Sequence, residues 1–108
     1  MSNDLMRSWI VQTYKEAGAD STAKFNLVFE DYNIIFSKDN HFIETWKMFG
    51  INTSNNGTWK WNSGLKDISL VDPNQIRTFF ILRLDNDHLD VNLEGTSPLQ
   101  EFDCVPKP

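Results

Sequence analysis

Asn56-Gly57-Thr58-Trp59-Lys60-Trp61 carries the clearest local signal in the chain. Asn-Gly is the dipeptide that best tolerates the positive φ values of a tight hairpin turn, so it predicts a turn with Gly57 at positive φ. Thr-Trp-Lys-Trp then alternates polar with aromatic residues, which is the period of a strand. Trp59 and Trp61 fall on one face, and Thr58 and Lys60 on the other. Two indoles on one strand of a 108-residue chain call for an interior, and a closed β architecture supplies one.

The same period recurs on both sides of this stretch. Upstream, Arg7 to Lys15 reads as a strand, with Trp9, Val11 and Thr13 on one face and Ile10, Gln12 and Tyr14 on the other. Glu16 to Thr22 reads as a loop with room for a single helical turn. Phe25, Leu27 and Phe29 alternate, Glu30-Asp31 interrupts them, and Tyr32, Ile34 and Phe36 continue. Asp39-Asn40 predicts a turn before the face formed by Phe42, Glu44, Trp46 and Met48. Asn52 to Gly57 reads as a polar loop. Downstream, Asn62-Ser63-Gly64 turns the chain, Ile68 to Leu70 is a short strand, and Asp72-Pro73-Asn74 suits a type I turn. Ile76 to Leu84 is the longest apolar run. Ile76, Thr78, Phe80, Leu82 and Leu84 share one face; Arg77, Phe79, Ile81 and Arg83 share the less apolar one. Asp85-Asn86-Asp87 turns, Leu89, Val91 and Leu93 alternate cleanly, Gly95 to Pro98 turns again, and Leu99 to Val105 is the last strand. About eight short strands joined by hairpin-length connections predict an all-β, up-and-down antiparallel barrel. Residues 1–108 form one domain, with 1–6 and 106–108 as extended tails.

Composition narrows the function classes. The net charge of −5 argues against nucleic acid as a partner, since a phosphate backbone needs a basic patch. No apolar run approaches the ~18 residues of a membrane-spanning helix. Cys104 is the only cysteine, so no intrachain disulfide forms; this fits the cytoplasm and a bacterial envelope alike. Met1 to Asp4 lacks the basic and apolar regions of a signal peptide.

The chain resembles the small lipocalin-like domains of Bacteroidetes bacteria. The residues that carry the resemblance are Trp9-Ile10-Val11, Gly18-Ala19-Asp20-Ser21-Thr22, Tyr32-Asn33-Ile34-Ile35-Phe36, Asp39-Asn40-His41-Phe42, Gly57-Thr58-Trp59, and the apolar run into Asp85-Asn86-Asp87-His88-Leu89. Asn40 stands where that family usually has glycine. The resemblance implies a small β-barrel, often a secreted or envelope lipoprotein, that binds a small molecule.

Catalytic signatures do not emerge. There is no Gly-x-Ser-x-Gly, phosphate loop or dinucleotide fingerprint, so neither an enzyme nor a cofactor is expected. His41 and His88 each sit beside a turn with carboxylates near, but nothing in the spacing joins the two turns. Asp85-x-Asp87 begins like a calcium loop; Leu89 then stands where an oxygen ligand is needed. Cys104 reads as a buried, inert thiol.

The aromatics say more. Phe36, Phe42, Trp46, Trp59, Trp61 and Phe80 fall on alternating faces of consecutive strands. They pack a core, line a cavity open at one end, or do both. Glu44 lies between Phe42 and Trp46 and reaches the rim in water or the polar end of the cavity. In the second case it orients a ligand head group with Arg83, and a bulge between Arg77 and Arg83 turns one of these inward. The expected function is non-enzymatic binding of a small apolar or amphipathic ligand in the cell envelope, with Phe36, Phe42, Glu44, Trp46, Trp59, Trp61, Phe80 and Arg83 as its site. The alternatives are a protein-interaction or inhibitor module with a filled barrel, and a carbohydrate-binding module with exposed tryptophans.

Overall fold

Strand β1 (Ser8–Glu16) is the hinge of the architecture, because it pairs with three other strands. The computed structural model describes residues 5–62, 66–95 and 99–107. After β1 come β2 (Ala19–Asp20), helix α1 (Thr22–Val28), β3 (Glu30–Phe36), β4 (His41–Met48), β5 (Ile51–Trp61), β6 (Asp67–Val71), β7 (Ile76–Leu84), β8 (Leu89–Leu93) and β9 (Gln100–Pro106). All pairings are antiparallel. Each strand from β3 onward pairs with the next, β1 pairs with β3, and β9 returns to β1, so eight strands close into an up-and-down barrel. The two-residue β2 lies beside the far end of β1, where β3 has parted from it. Closure leaves no strand at the edge of an open sheet, although the first half of β5 and the middle of β1 are laddered on one side only.

One end of the barrel is plugged. Leu5, Trp9, Phe42, Trp59, Ile68 and Leu70 form its core, and Leu5, Trp9 and Phe42 have no exposed surface at all. Both buried indoles keep a partner for their N–H: Trp9 Nε1 donates to the Leu5 carbonyl at 3.1 Å, and Trp59 Nε1 to the Ser37 carbonyl at 3.1 Å. Leu5 and Pro106 therefore belong to the barrel, not to the tails expected at 1–6 and 106–108; Pro106 pairs with Trp9. Residues 1–4 and 108, and parts of the turns expected at Asn62 to Gly64 and Gly95 to Pro98, lie outside the described residues.

The opening hairpin signal does not make a turn. Asn52 to Gly57 lie inside β5, and β4 pairs with β5 without a break from His41↔Thr58 to Met48↔Ile51. The tight turn sits at Phe49-Gly50, with φ of 52° and 78°. Gly57 has no positive φ. The strand state of this polar stretch is imposed by the long β4 beside it, and position on the sheet overrides local propensity. Phe49 is thus a bulky residue in the left-handed region, where a Cβ is disfavoured by ~1–2 kcal/mol, and it is 96% exposed. Phe49→Asn, which creates the preferred Asn-Gly turn, should stabilise the protein by about 1 kcal/mol. A urea midpoint unmoved or lowered would contradict this.

Phe25, Leu27 and Phe29 are not a strand either. Thr22–Val28 is helical, Phe25 and Phe29 stack with ring centroids 5.1 Å apart, and Leu27 points to solvent. Residues i and i+4 share a face in both a strand and a helix, so the two aromatics alone do not distinguish them. The helix is launched by Asp20, whose Oδ1 accepts from the Thr22 N–H at 3.0 Å and the Thr22 hydroxyl at 2.6 Å. Asn40 holds φ 65° in the β3–β4 connection, which asparagine tolerates better than other non-glycine residues.

Three register shifts re-aim side chains. One falls between Val11 and Thr13, and beyond it Tyr14 turns to the interior face of Trp9 and Val11. Another falls between Glu30 and Asn33, with Asp31 at φ 55°. The third falls between Ile81 and Arg83.

Candidate functional site

At the end opposite the plug the barrel is hollow. A cavity of about 370 Å³ lies under α1, walled by Tyr14, Phe25, Phe29, Phe79 and Phe102 at that end, and by Ile34, Phe36, Leu70, Leu89 and Cys104 deeper in. The aromatics pack on one another: Tyr14 and Phe102 lie 5.0 Å apart between ring centroids, and Phe25 meets Tyr32 edge-on at 5.6 Å. Helix α1 packs against β1 and β3, with Phe25 as its buried residue.

A polar cluster interrupts this wall. Glu44, the next residue after Phe42 on the inward face of β4, is 3% exposed. Its two oxygens accept from both terminal nitrogens of Arg77, Oε2 from Nη1 at 3.0 Å and Oε1 from Nη2 at 2.5 Å. Oε2 also accepts from the Tyr32 hydroxyl at 2.5 Å, and Oε1 from Asn55 Nδ2 at 3.1 Å. Asn55 donates in turn to Asp72 Oδ2 at 3.0 Å, and that oxygen lies 3.6 Å from Arg77 Nη2. Asp72 Oδ1 closes the β6–β7 turn by accepting from the backbone N–H groups of Asn74 and Gln75. Two carboxylates therefore hold one guanidinium in a two-pronged, charge-assisted geometry.

Burial alone would raise the Glu44 carboxyl. The hydrogen bonds and charge of Arg77, with Tyr32 and Asn55, outweigh it and hold the carboxyl below its ordinary range. Burial likewise disfavours the charge on Arg77, and Glu44 more than restores it. Tyr32 is pushed well above the usual phenol value by burial and then by the Glu44 charge. The Tyr14 hydroxyl donates to Glu16 at 2.9 Å, and burial and this bond push it up to about 12. Burial also pushes the Cys104 thiol up, so it stays protonated.

Of the residues singled out by sequence, Phe36 and Glu44 line the cavity. Phe42 and Trp59 belong to the plug, and Trp61 packs against it. Trp46 backs the wall from behind, 5.6 Å from Phe29. Phe80 and Arg83 are corrections. The face of β7 that enters the barrel is Arg77, Phe79 and Ile81, so Phe80 faces outward, 41% exposed. The foreseen bulge exists after Ile81, and beyond it Leu84 packs inward while Arg83 points out and pairs with Asp85 at 2.9 Å. The partner of Glu44 is Arg77, and Glu44 is not at a wet rim. Tyr32 is readable from its place on the Phe36 face; Asn55 lies in a stretch whose polar composition reads as a loop. His41 and His88 instead face Asp39 and Asp85. Among the described residues no group of three or more His, Cys, Asp or Glu is arranged to hold a metal ion, and no helix is long and apolar enough to cross a membrane.

No protein-family model matches the chain, and no curated protein matches it. Among solved structures, it is similar to a lipocalin-like protein from Bacteroides uniformis, with a TM-score of 0.77 and 17% sequence identity. The match covers 97% of this chain and 100% of that one. At this identity the likeness speaks for architecture, and the chain has the lipocalin-like β-barrel fold.

Proposed function

We propose that this barrel is a non-enzymatic module that holds one small apolar or amphipathic molecule in its cavity, within a bacterial cell envelope. The observation that carries the reading is the cavity itself. Its volume of about 370 Å³ falls within the ~300–1,000 Å³ typical of ligand pockets, and its wall is apolar apart from a few convergent polar groups. A hollow interior favours binding over an inhibitor module, for which a filled barrel was the expectation. None of the four tryptophans is exposed, which counts against stacking on sugars.

The test uses N-phenyl-1-naphthylamine, an uncharged dye that brightens in apolar surroundings. Its emission should rise and saturate at one dye per chain. Val91 lines the cavity, so Val91→Trp should weaken binding at least tenfold while thermal unfolding stays cooperative. Unsaturable binding, or a folded Val91→Trp that binds unchanged, would overturn the reading.

A further inference from the structure

The cavity wall carries two charged residues among those described, Glu44 and Arg77. They are already each other's partner. Both terminal nitrogens of Arg77 are engaged by Glu44, and Asp72 approaches the same guanidinium from the side. Glu44 is anchored further by Tyr32 and Asn55, so an incoming anion cannot displace it cheaply. We propose that the cavity selects uncharged ligands and rejects anionic ones, carboxylates included; this deepens the binding reading above and rests on it.

Charge balance makes the case. An anion that reached the polar wall would leave water and meet one guanidinium already answered by two carboxylates. The other titratable groups on the wall, Tyr14, Tyr32 and Cys104, stay neutral and supply no positive charge. The ligand class is therefore an uncharged, mostly apolar small molecule.

Two matched pairs test this with the whole chain. N-phenyl-1-naphthylamine and 8-anilino-1-naphthalenesulfonate share a skeleton and differ by a sulfonate. Decanol and decanoate, measured by displacement of the uncharged dye, differ by little more than a charge. The dye should bind at least thirtyfold tighter than its sulfonate, and decanol at least tenfold tighter than decanoate. Glu44→Gln keeps an acceptor for Tyr32 and frees the charge of Arg77, and it should narrow both gaps at least tenfold. Anions that bind the native protein as tightly as their neutral twins overturn the proposal and leave the binding reading standing. A folded Glu44→Gln with both gaps unchanged overturns the assignment to this ion pair. If neither uncharged compound binds, the binding reading fails and the proposal falls with it. The native comparison decides even if Glu44→Gln does not fold.

Discussion

Arg77→Met should destabilise the protein by about 3 kcal/mol at neutral pH. The methionine fills much of the arginine's space, so the loss is one of charge. It leaves Glu44 ionised, buried and short of its two-pronged partner, a situation that typically costs ~3–5 kcal/mol. The lower figure applies because the Arg77 side chain keeps 18% of its surface exposed, which lets water reach the site. The pH dependence should then change sign. In the native protein the Glu44 carboxyl sits below its unfolded value, so its stabilisation is full above the ordinary carboxylate range and fades as pH falls. Without Arg77, burial raises that carboxyl above its unfolded value, and the variant regains stability as pH falls and Glu44 takes up a proton. The deficit should therefore shrink between pH 7 and pH 5 in urea denaturation. A deficit under 1 kcal/mol, or one flat with pH, would show that the pair is not the buried unit described. Glu44→Leu added to Arg77→Met should recover most of the loss, since an apolar pair can replace a buried ion pair. Some cost should remain, because Tyr32 then loses its acceptor.

Gly57→Ala should cost about 3 kcal/mol, for a reason unrelated to φ. Gly57 lies opposite Phe42 in the β4–β5 ladder, beside Thr58, which pairs with Val71 of β6. A Cβ built on Gly57 runs into the Val71 carbonyl oxygen and comes within 2.9 Å of its carbon and 3.0 Å of Phe42 Cε1. The obstacle is mostly backbone, so β5 and β6 must part at the plugged core, and overpacking of that kind costs ~1–3 kcal/mol or more. Gly50→Ala is the internal control. Gly50 has φ 78° and nothing within 4 Å of a Cβ, so only conformational strain of about 1 kcal/mol is expected. Equal effects of the two substitutions in chemical denaturation would remove the close-approach explanation.

The legible part of this fold is alternation on strands that bury one face. Leu89, Val91 and Leu93 of β8 and Phe42 and Glu44 of β4 point where their period says. Three things were illegible for physical reasons. A polar stretch, Asn52 to Gly57, became strand because β4 offered it a full ladder. The longest apolar run, β7, is apolar on both faces, so hydrophobicity could not say that Phe79 enters the barrel and Phe80 does not. Register shifts move every later side chain to the other face, and nothing in composition marks them; hence the strand period sets Tyr14 with Ile10 and Gln12, whereas it shares the face of Trp9. The candidate site inherits all three. Glu44 could be found by its charge on an apolar face. Arg77 shared its face with Arg83, and only the shift after Ile81 separates them.

The seam between β1 and β9 sets the order of assembly. β9 must dock against both β8 and β1, and the second of these pairings joins opposite ends of the sequence. Until it forms, β1 and β9 each present an unpaired edge and the plugged core lies open on that side. The neighbouring hairpins can zip up early and reversibly, while the step that seals the barrel waits on the most improbable encounter in the chain. Folding is thereby placed in the millisecond-to-second regime of topologies dominated by distant pairings. An excess of chains caught before sealing would join through those two edges and leave the finished barrels alone.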